Sequence, residues 1–95
     1  MVQLAPIIAK KRPDTVEAWY WDGRPETAEL IVAWINDKPK TQVVAEYREE
    51  DRIIALDWQV EHVKPLHWVV RDKFNDYWPL PNDIFLAVYE TSFVP

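Results

Sequence analysis

The chain is predicted to fold as a small α+β domain: a mostly antiparallel sheet of about five strands with one main helix, over about residues 25–37, packed on one face. Three observations predict it. Apolar and polar residues alternate with a period of two in several segments, most clearly over Arg52 to Val63. One stretch, Thr27, Leu30, Ile31, Trp34 and Ile35, repeats instead at helical spacing. The chain has 95 residues, 48% apolar and 28% charged, which suits one globular domain and not a disordered segment.

Residues 1–13 read as an extended N-terminal arm and residues 14–95 as the single domain. Leu4, Ile7 and Ile8 make the arm apolar. A frayed tail is the favoured reading; pairing with a neighbouring subunit's sheet edge is the alternative. Thr15 to Trp21 alternates and is rich in β-branched and aromatic residues, so it is the first expected strand. Val16, Ala18 and Tyr20 point one way; Glu17, Trp19 and Trp21 point the other. Asp22-Gly23 ends it. Gly23 is the only glycine in the chain, and a tight turn with positive φ is its natural use.

Pro25 and Glu26 open the helix, because proline at the first position loses no hydrogen bond and carboxylates suit the positive end of the dipole. Asn36-Asp37-Lys38-Pro39 stops it. Thr41 to Tyr47 is the second expected strand, and Glu49-Glu50-Asp51 a charged turn. Arg52 to Val63 is expected as one long third strand, with Ile54, Leu56, Trp58, Val60 and His62 on one face and a bend near Asp57. His67 to Arg71 and Tyr77 to Leu80 form a hairpin around Asp72 to Asp76. Pro79 and Pro81 then force the chain out of the ladder. Asn82 or Asp83 caps a single helical turn, and Leu86 to Thr91 returns as a short terminal strand, because Phe85, Ala87 and Tyr89 alternate.

Composition removes several kinds of chemistry. The net charge of −5 repels phosphate backbones, so nucleic acid is not an expected partner. The chain has no cysteine, which removes disulfides, thiolate catalysis and cysteine-based zinc sites together and fits a reducing cytoplasm. No apolar run approaches a membrane span. The apolar start Met1 to Ala9 is broken by Pro6 and followed, not preceded, by Lys10, Lys11 and Arg12, the wrong order for a secretion signal. One serine, Ser92, and a single glycine leave no nucleophilic triad and no phosphate-cradling loop.

An ordered set of short motifs runs through the chain: Lys11-Arg12-Pro13, Val16-Glu17-Ala18, Trp21-Asp22-Gly23, Ala33-Trp34-Ile35, Trp68-Val69-Val70-Arg71, Tyr77-Trp78-Pro79, and Pro81-Asn82-Asp83-Ile84-Phe85 with Tyr89-Glu90. Together they resemble a widespread family of short bacteriophage and prophage proteins. That family runs Lys-Lys-Pro, Ile-Glu-Ala, a Trp-Thr-Gly turn, a helix, Gly-Asp-Trp-Ile, Gly-Glu-Phe-Tyr-Pro and Pro-Asp-Ile-Phe with Tyr-Glu. The resemblance covers roughly residues 10–90, and each piece alone is a weak signal. It implies a phage origin and a small α+β domain and supplies no catalytic residues; with the absence of cysteine, the expected location is the host cell cytoplasm. Where the family has Gly-Asp before Trp, this chain has Leu66-His67. Where the family hairpin has glycines, it has Asp72 and Asn75, the residue types that best tolerate the left-handed region.

No catalytic residue, cofactor or metal site is expected. His62 and His67 lack a third ligand beside them. Asp72, Asp76 and Asp83 sit at turn and cap positions, where aspartate bonds the backbone. The aromatic residues are the best contact candidates, because Trp and Tyr dominate interaction hot spots. Trp19, Trp21, Trp58, Trp68, Tyr77 and Trp78, with Arg71, are the candidates for an aromatic interaction surface: some are expected in the core beneath the helix with Trp34, and those on the far face of the sheet are expected to form an exposed patch. The expected activity is a non-enzymatic phage accessory protein that binds a host protein through that surface, with inhibition or toxicity as a consequence. The alternatives are a small-ligand or nucleotide-signal binder and a virion-associated protein. An open sheet edge and the apolar arm make a homo-oligomer plausible.

Overall fold

The structure is a computed structural model that describes residues 3–11, 14–37, 44–56, 61–73 and 76–89. In chain order the elements are β1 (Ile7–Lys11), β2 (Asp14–Tyr20), α1 (Pro25–Asn36), β3 (Ala45–Arg48), β4 (Ile53–Leu56), β5 (Glu61–Val63), β6 (His67–Arg71), β7 (Tyr77–Pro81) and α2 (Asn82–Val88). The class is α+β. The strands form two antiparallel sheets, one of four in the order β1-β2-β6-β7 and one of three in the order β3-β4-β5. The expected single sheet of about five strands is therefore corrected to seven strands in two sheets.

Two causes account for the difference. Twelve residues from Arg52 to Val63 as one strand would reach ~40 Å, longer than the 35 Å maximum extent of the whole molecule. The segment instead doubles back, and β4 pairs β5 with Ile54 opposite Val63 and Leu56 opposite Glu61. This buries Ile54, Leu56 and Val63 and turns His62 outward, the reverse of the expected phase at the far end. Asp57, where the bend was placed, lies outside the described residues. The second cause is the arm. Residues 7–11 are β1, in register with β2 from Ile7 opposite Ala18 to Lys11 opposite Asp14.

Gln3 holds the start of that segment in place. It is 4% exposed. Its side-chain amide donates to the carbonyls of Ala5 (2.7 Å) and Ala18 (2.9 Å) and accepts the Tyr20 N–H (2.9 Å). One side chain thus continues the β2 ladder past the end of β1, leaving those groups no bond to lose to water. Residues 3–11 are accordingly ordered on the sheet and do not form the frayed tail read from the sequence.

The four-stranded sheet carries a buried cluster on each face. One face packs Trp19, Trp21, Val69 and Tyr77 against Ala28, Ile31 and Ile35 of α1 and against Ile54, Leu56 and Val63 of the smaller sheet. The other packs Ala9, Val16, Ala18, Tyr20, Trp68 and Val70 with Phe85 of α2. Residues 86–88 are helical, which corrects the expected terminal strand. Phe85 stacks on Trp68 at 3.9 Å and on Tyr89 at 5.0 Å, an i, i+4 pairing that a helical turn creates and a strand does not. Among the described residues no helix is long and apolar enough to cross a membrane.

Candidate functional site

The candidates for an aromatic interaction surface are mostly core. Trp19, Trp21, Trp68 and Tyr77 are buried, Trp78 is half-buried, and Trp58 lies outside the described residues. Burial of an indole requires a partner for its N–H. Each of the three buried tryptophans has one. Trp19 Nε1 donates to the Gln3 carbonyl at 3.0 Å, Trp21 Nε1 to the Arg24 carbonyl at 2.9 Å, and Trp68 Nε1 to Asn82 Oδ1 at 2.8 Å. Their alternate directions along β2 and β6 serve two cores, so the aromatic residues do not collect on one outer face.

Arg71 joins the same framework. Its side chain is only 11% exposed and pairs with Glu17 Oε1 at 2.5 Å. It also donates to the Tyr77 hydroxyl at 3.5 Å and lies over the Trp34 ring at 5.7 Å from the centroid. Burial raises the Tyr77 hydroxyl pKa above its usual value, and the Arg71 hydrogen bond and charge oppose that rise. Paired to Glu17 of β2 and bonded to Tyr77 of β7, Arg71 of β6 joins three strands of the sheet, and its contact with the Trp34 ring reaches α1.

The expected turn carboxylates bond the backbone. Asp72 Oδ1 accepts the Asp76 N–H at 3.0 Å and Asp83 Oδ1 the Ile84 N–H at 2.9 Å. Asp72 does not use the left-handed region, and Asn75 lies outside the described residues. Among the described residues no three His, Asp or Glu side chains are grouped to hold a metal ion.

Where the molecule departs from ordinary geometry is at one end, where three turns meet. Gly23 follows β2 with φ of +89°. The Glu49–Arg52 turn joins β3 to β4 and is closed by the Arg52 N–H on the Glu49 carbonyl at 3.2 Å. The Lys64–His67 turn joins β5 to β6 and is closed by the His67 N–H on the Lys64 carbonyl, also at 3.2 Å. The three are bonded together: the Leu66 N–H donates to the Trp21 carbonyl at 2.8 Å, and Arg52 Nη2 reaches the Gly23 carbonyl at 3.4 Å.

Two residues here hold positive φ without being glycine, Arg52 at 51° and Leu66 at 66°. They are the only such residues among those described. Pro65 supplies the second position of a type II turn, and Leu66 occupies the third, which asks for glycine or asparagine. The left-handed region costs a residue with a Cβ roughly 1–2 kcal/mol. Leu66 is also 56% exposed, so no core contact offsets that cost.

Beside these turns lies a cleft of about 350 Å³ lined by Gly23, Pro25, Tyr47, Glu49 and Arg52. The three turns carry both signs of charge: Arg24, Arg52 and Lys64 beside Asp22, Glu49, Glu50 and Asp51. Asp22 Oδ1 accepts the Arg24 N–H at 3.0 Å, and its Oδ2 lies 4.0 Å from Arg24 Nε. Oδ2 is buried without a hydrogen bond, and the Asp22 charge adds to burial in raising the Tyr20 hydroxyl pKa. Next to Leu66, burial and the Lys64 charge lower the His67 pKa, with Asp83 opposing. Chemically this end presents charges of both signs around one exposed apolar side chain. Its mix of exposed side chains holds no nucleophile beside a base.

The strained, exposed position of Leu66 was missed because a leucine after Pro65 carries no sequence signal by itself. No protein-family model matches the chain, and no curated protein or solved structure matches it either.

Proposed function

We propose that this chain is a phage-encoded accessory protein without catalytic chemistry, which binds a host protein in the host cytoplasm and thereby inhibits it. The binding surface in this reading is the three-turn end centred on Leu66, in place of the aromatic surface expected from the sequence. The observation that supports it is the pairing of backbone strain with exposure. A leucine held in a glycine conformation, in water, costs stability and returns none to the fold, and strain of this kind clusters at functional sites. The mixed charges of these turns, Arg24, Arg52 and Lys64 with Asp22, Glu49, Glu50 and Asp51, would set the orientation and specificity of the partner.

The test is capture from host lysate by the native chain and by Leu66→Gly. The substitution suits the turn, so the variant stays folded. The expected result is a specific host protein retained by the native chain and lost by the variant. Equal retention by both would remove Leu66 from the surface, and no specific retention by either would remove the reading.

A second reading is favoured by the cleft itself, where Tyr47 offers a ring for stacking and Arg52 a guanidinium for phosphate. It makes the chain a sequestering protein for a nucleotide signal. Thermal-shift measurements with a nucleotide panel check it, with a rise in melting temperature expected that Arg52→Ala abolishes; no rise with any nucleotide removes it. A virion-associated role is tested by mass spectrometry of purified particles.

A further inference from the structure

Among the described residues, the sheet edges are closed by identifiable devices, with one exception. On β3, Asn36 of α1 accepts the Ala45 N–H at 2.8 Å and donates to the Ala45 carbonyl at 3.0 Å, occupying the outward groups of that edge residue. The last strand of the larger sheet, β7, contains Pro79 and Pro81 and packs beside β5 of the smaller one. For β1 there is no such device among the described residues: it pairs with β2 on one side and with no described strand on the other. The two most exposed large apolar side chains described, Leu4 at 70% and Ile8 at 66%, both border that edge.

The direction of the backbone groups follows from Gln3. Because its side chain meets the Ala18 carbonyl and the Tyr20 N–H, the alternate residues of β2 that include Ala18 and Val16 aim their polar groups at β1. Their partners Ile7 and Ala9 therefore aim inward. Ile8 and Lys10 aim outward, with N–H and C=O groups presented to a further strand. Gln3 also fixes the segment ahead of β1, so this edge is rigid before anything binds it.

We infer that the occupant of this edge is β1 of a second copy of the chain, antiparallel about a two-fold axis at Ile8, giving one continuous eight-stranded sheet. In that register the two Ile8 residues exchange both backbone hydrogen bonds, and their exposed side chains cover each other. Lys10 falls opposite Pro6, whose missing N–H ends the ladder without loss. Lysine on an edge normally discourages pairing, but here the two Lys10 residues are four positions apart, roughly 13 Å at about 3.3 Å per residue. That exceeds the screening length of about 8 Å at physiological salt. Centring on Ala9 would instead bring the lysines within two positions and set Ile8 opposite a lysine. This inference is independent of the Leu66 surface, which lies at the three-turn end.

Light scattering after size exclusion tests it, with a mass of twice 11.3 kDa expected. Ile8→Pro removes an outward N–H and spares the bonds to β2, so a folded monomer is expected. The chain has no cysteine, so single cysteines report without interference. Ile8→Cys is expected to cross-link into a disulfide dimer under mild oxidation, since facing residues of a hydrogen-bonded pair lie about 5.5 Å apart at Cα; Lys10→Cys is expected not to. Cross-linking through Ile8→Cys decides the matter if the proline variant fails to fold. A monomer at every concentration, including one that pairs with some other strand, overturns the inference. So does a dimer that keeps its mass in folded Ile8→Pro, or one that Lys10→Cys cross-links as readily as Ile8→Cys.

Discussion

The two faces of the four-stranded sheet carry similar loads of aromatic surface under very different covers. The face with Trp19, Trp21 and Tyr77 lies beneath the 12 residues of α1 and a second sheet. The face with Tyr20, Trp68 and Val70 meets, among the described elements, the 7 residues of α2, whose one buried side chain is Phe85. A ring stacked on Trp68 at 3.9 Å, nearly parallel at 12°, closes that second face at its centre. The difference teaches that an aromatic strand need not leave half its rings in water. One well-placed ring from a short helix suffices when each indole N–H already has a partner.

The largest effects should come from removing the anchors of each face. Trp21→Ala and Trp68→Ala are each expected to cost about 3–5 kcal/mol, read from denaturant midpoints. Phe85→Ala separates the faces. A loss of about 3 kcal/mol is expected, with amide exchange quickened in α2 and around Trp68 while α1 keeps its protection. Equal acceleration in both helices would mean that the faces unfold as one unit.

Next in size is Gln3→Ala, which leaves the Tyr20 N–H and the Ala18 carbonyl without their side-chain partner and is expected to cost about 1–3 kcal/mol. Leu66→Gly should move the other way. Relief of the left-handed penalty, less the greater chain entropy of glycine, predicts a gain of about 0.5–1 kcal/mol, visible as a higher denaturant midpoint. No gain would mean that Leu66 makes a stabilising contact.

The smallest effect is a pH dependence. His67 has its pKa lowered below 6.5 by burial first and Lys64 second. The fold therefore favours the neutral ring. Stability is full above pH 6.5 and declines as pH falls from there toward the lowered value. Urea midpoints on either side of pH 6.5 should show this slope, and His67→Gln should flatten it.

Much of the element plan was legible because it rests on local chemistry. Pro25 and Glu26 marked the start of α1, Gly23 marked a positive-φ turn, and alternation marked β2 and β6. The long run from Arg52 was misjudged because period-two alternation is identical in one strand and in a hairpin; only the size of the domain distinguishes them. The terminal helix was hidden because Phe85 and Tyr89 satisfy both a strand and a helical spacing, and tertiary stacking on Trp68 decides. Gln3 and Asn36 were invisible for another reason. Each acts by imitating a strand's backbone, which depends on a neighbour brought close by the fold and leaves no mark in composition or period. The aromatic surface failed as an expectation because both faces are covered: α1 and the smaller sheet, which was not foreseen, bury Trp19, Trp21 and Tyr77, and Phe85 of α2 lies on Trp68.

Gly23 carries a further consequence. A methyl group at its α-carbon would meet Arg52 Nη2 and Pro65 Cβ, each at 3.2 Å. Pro65 stands just before β6 of the larger sheet and Arg52 just before β4 of the smaller one, so residue 23 sits where turns of both sheets meet. The Arg52 tip could swing aside from a methyl group there, but the Pro65 ring would have to give by a few tenths of an ångström. The backbone at φ of +89° would be strained in addition, so two separate costs fall on the one position in the chain that has no side chain at all.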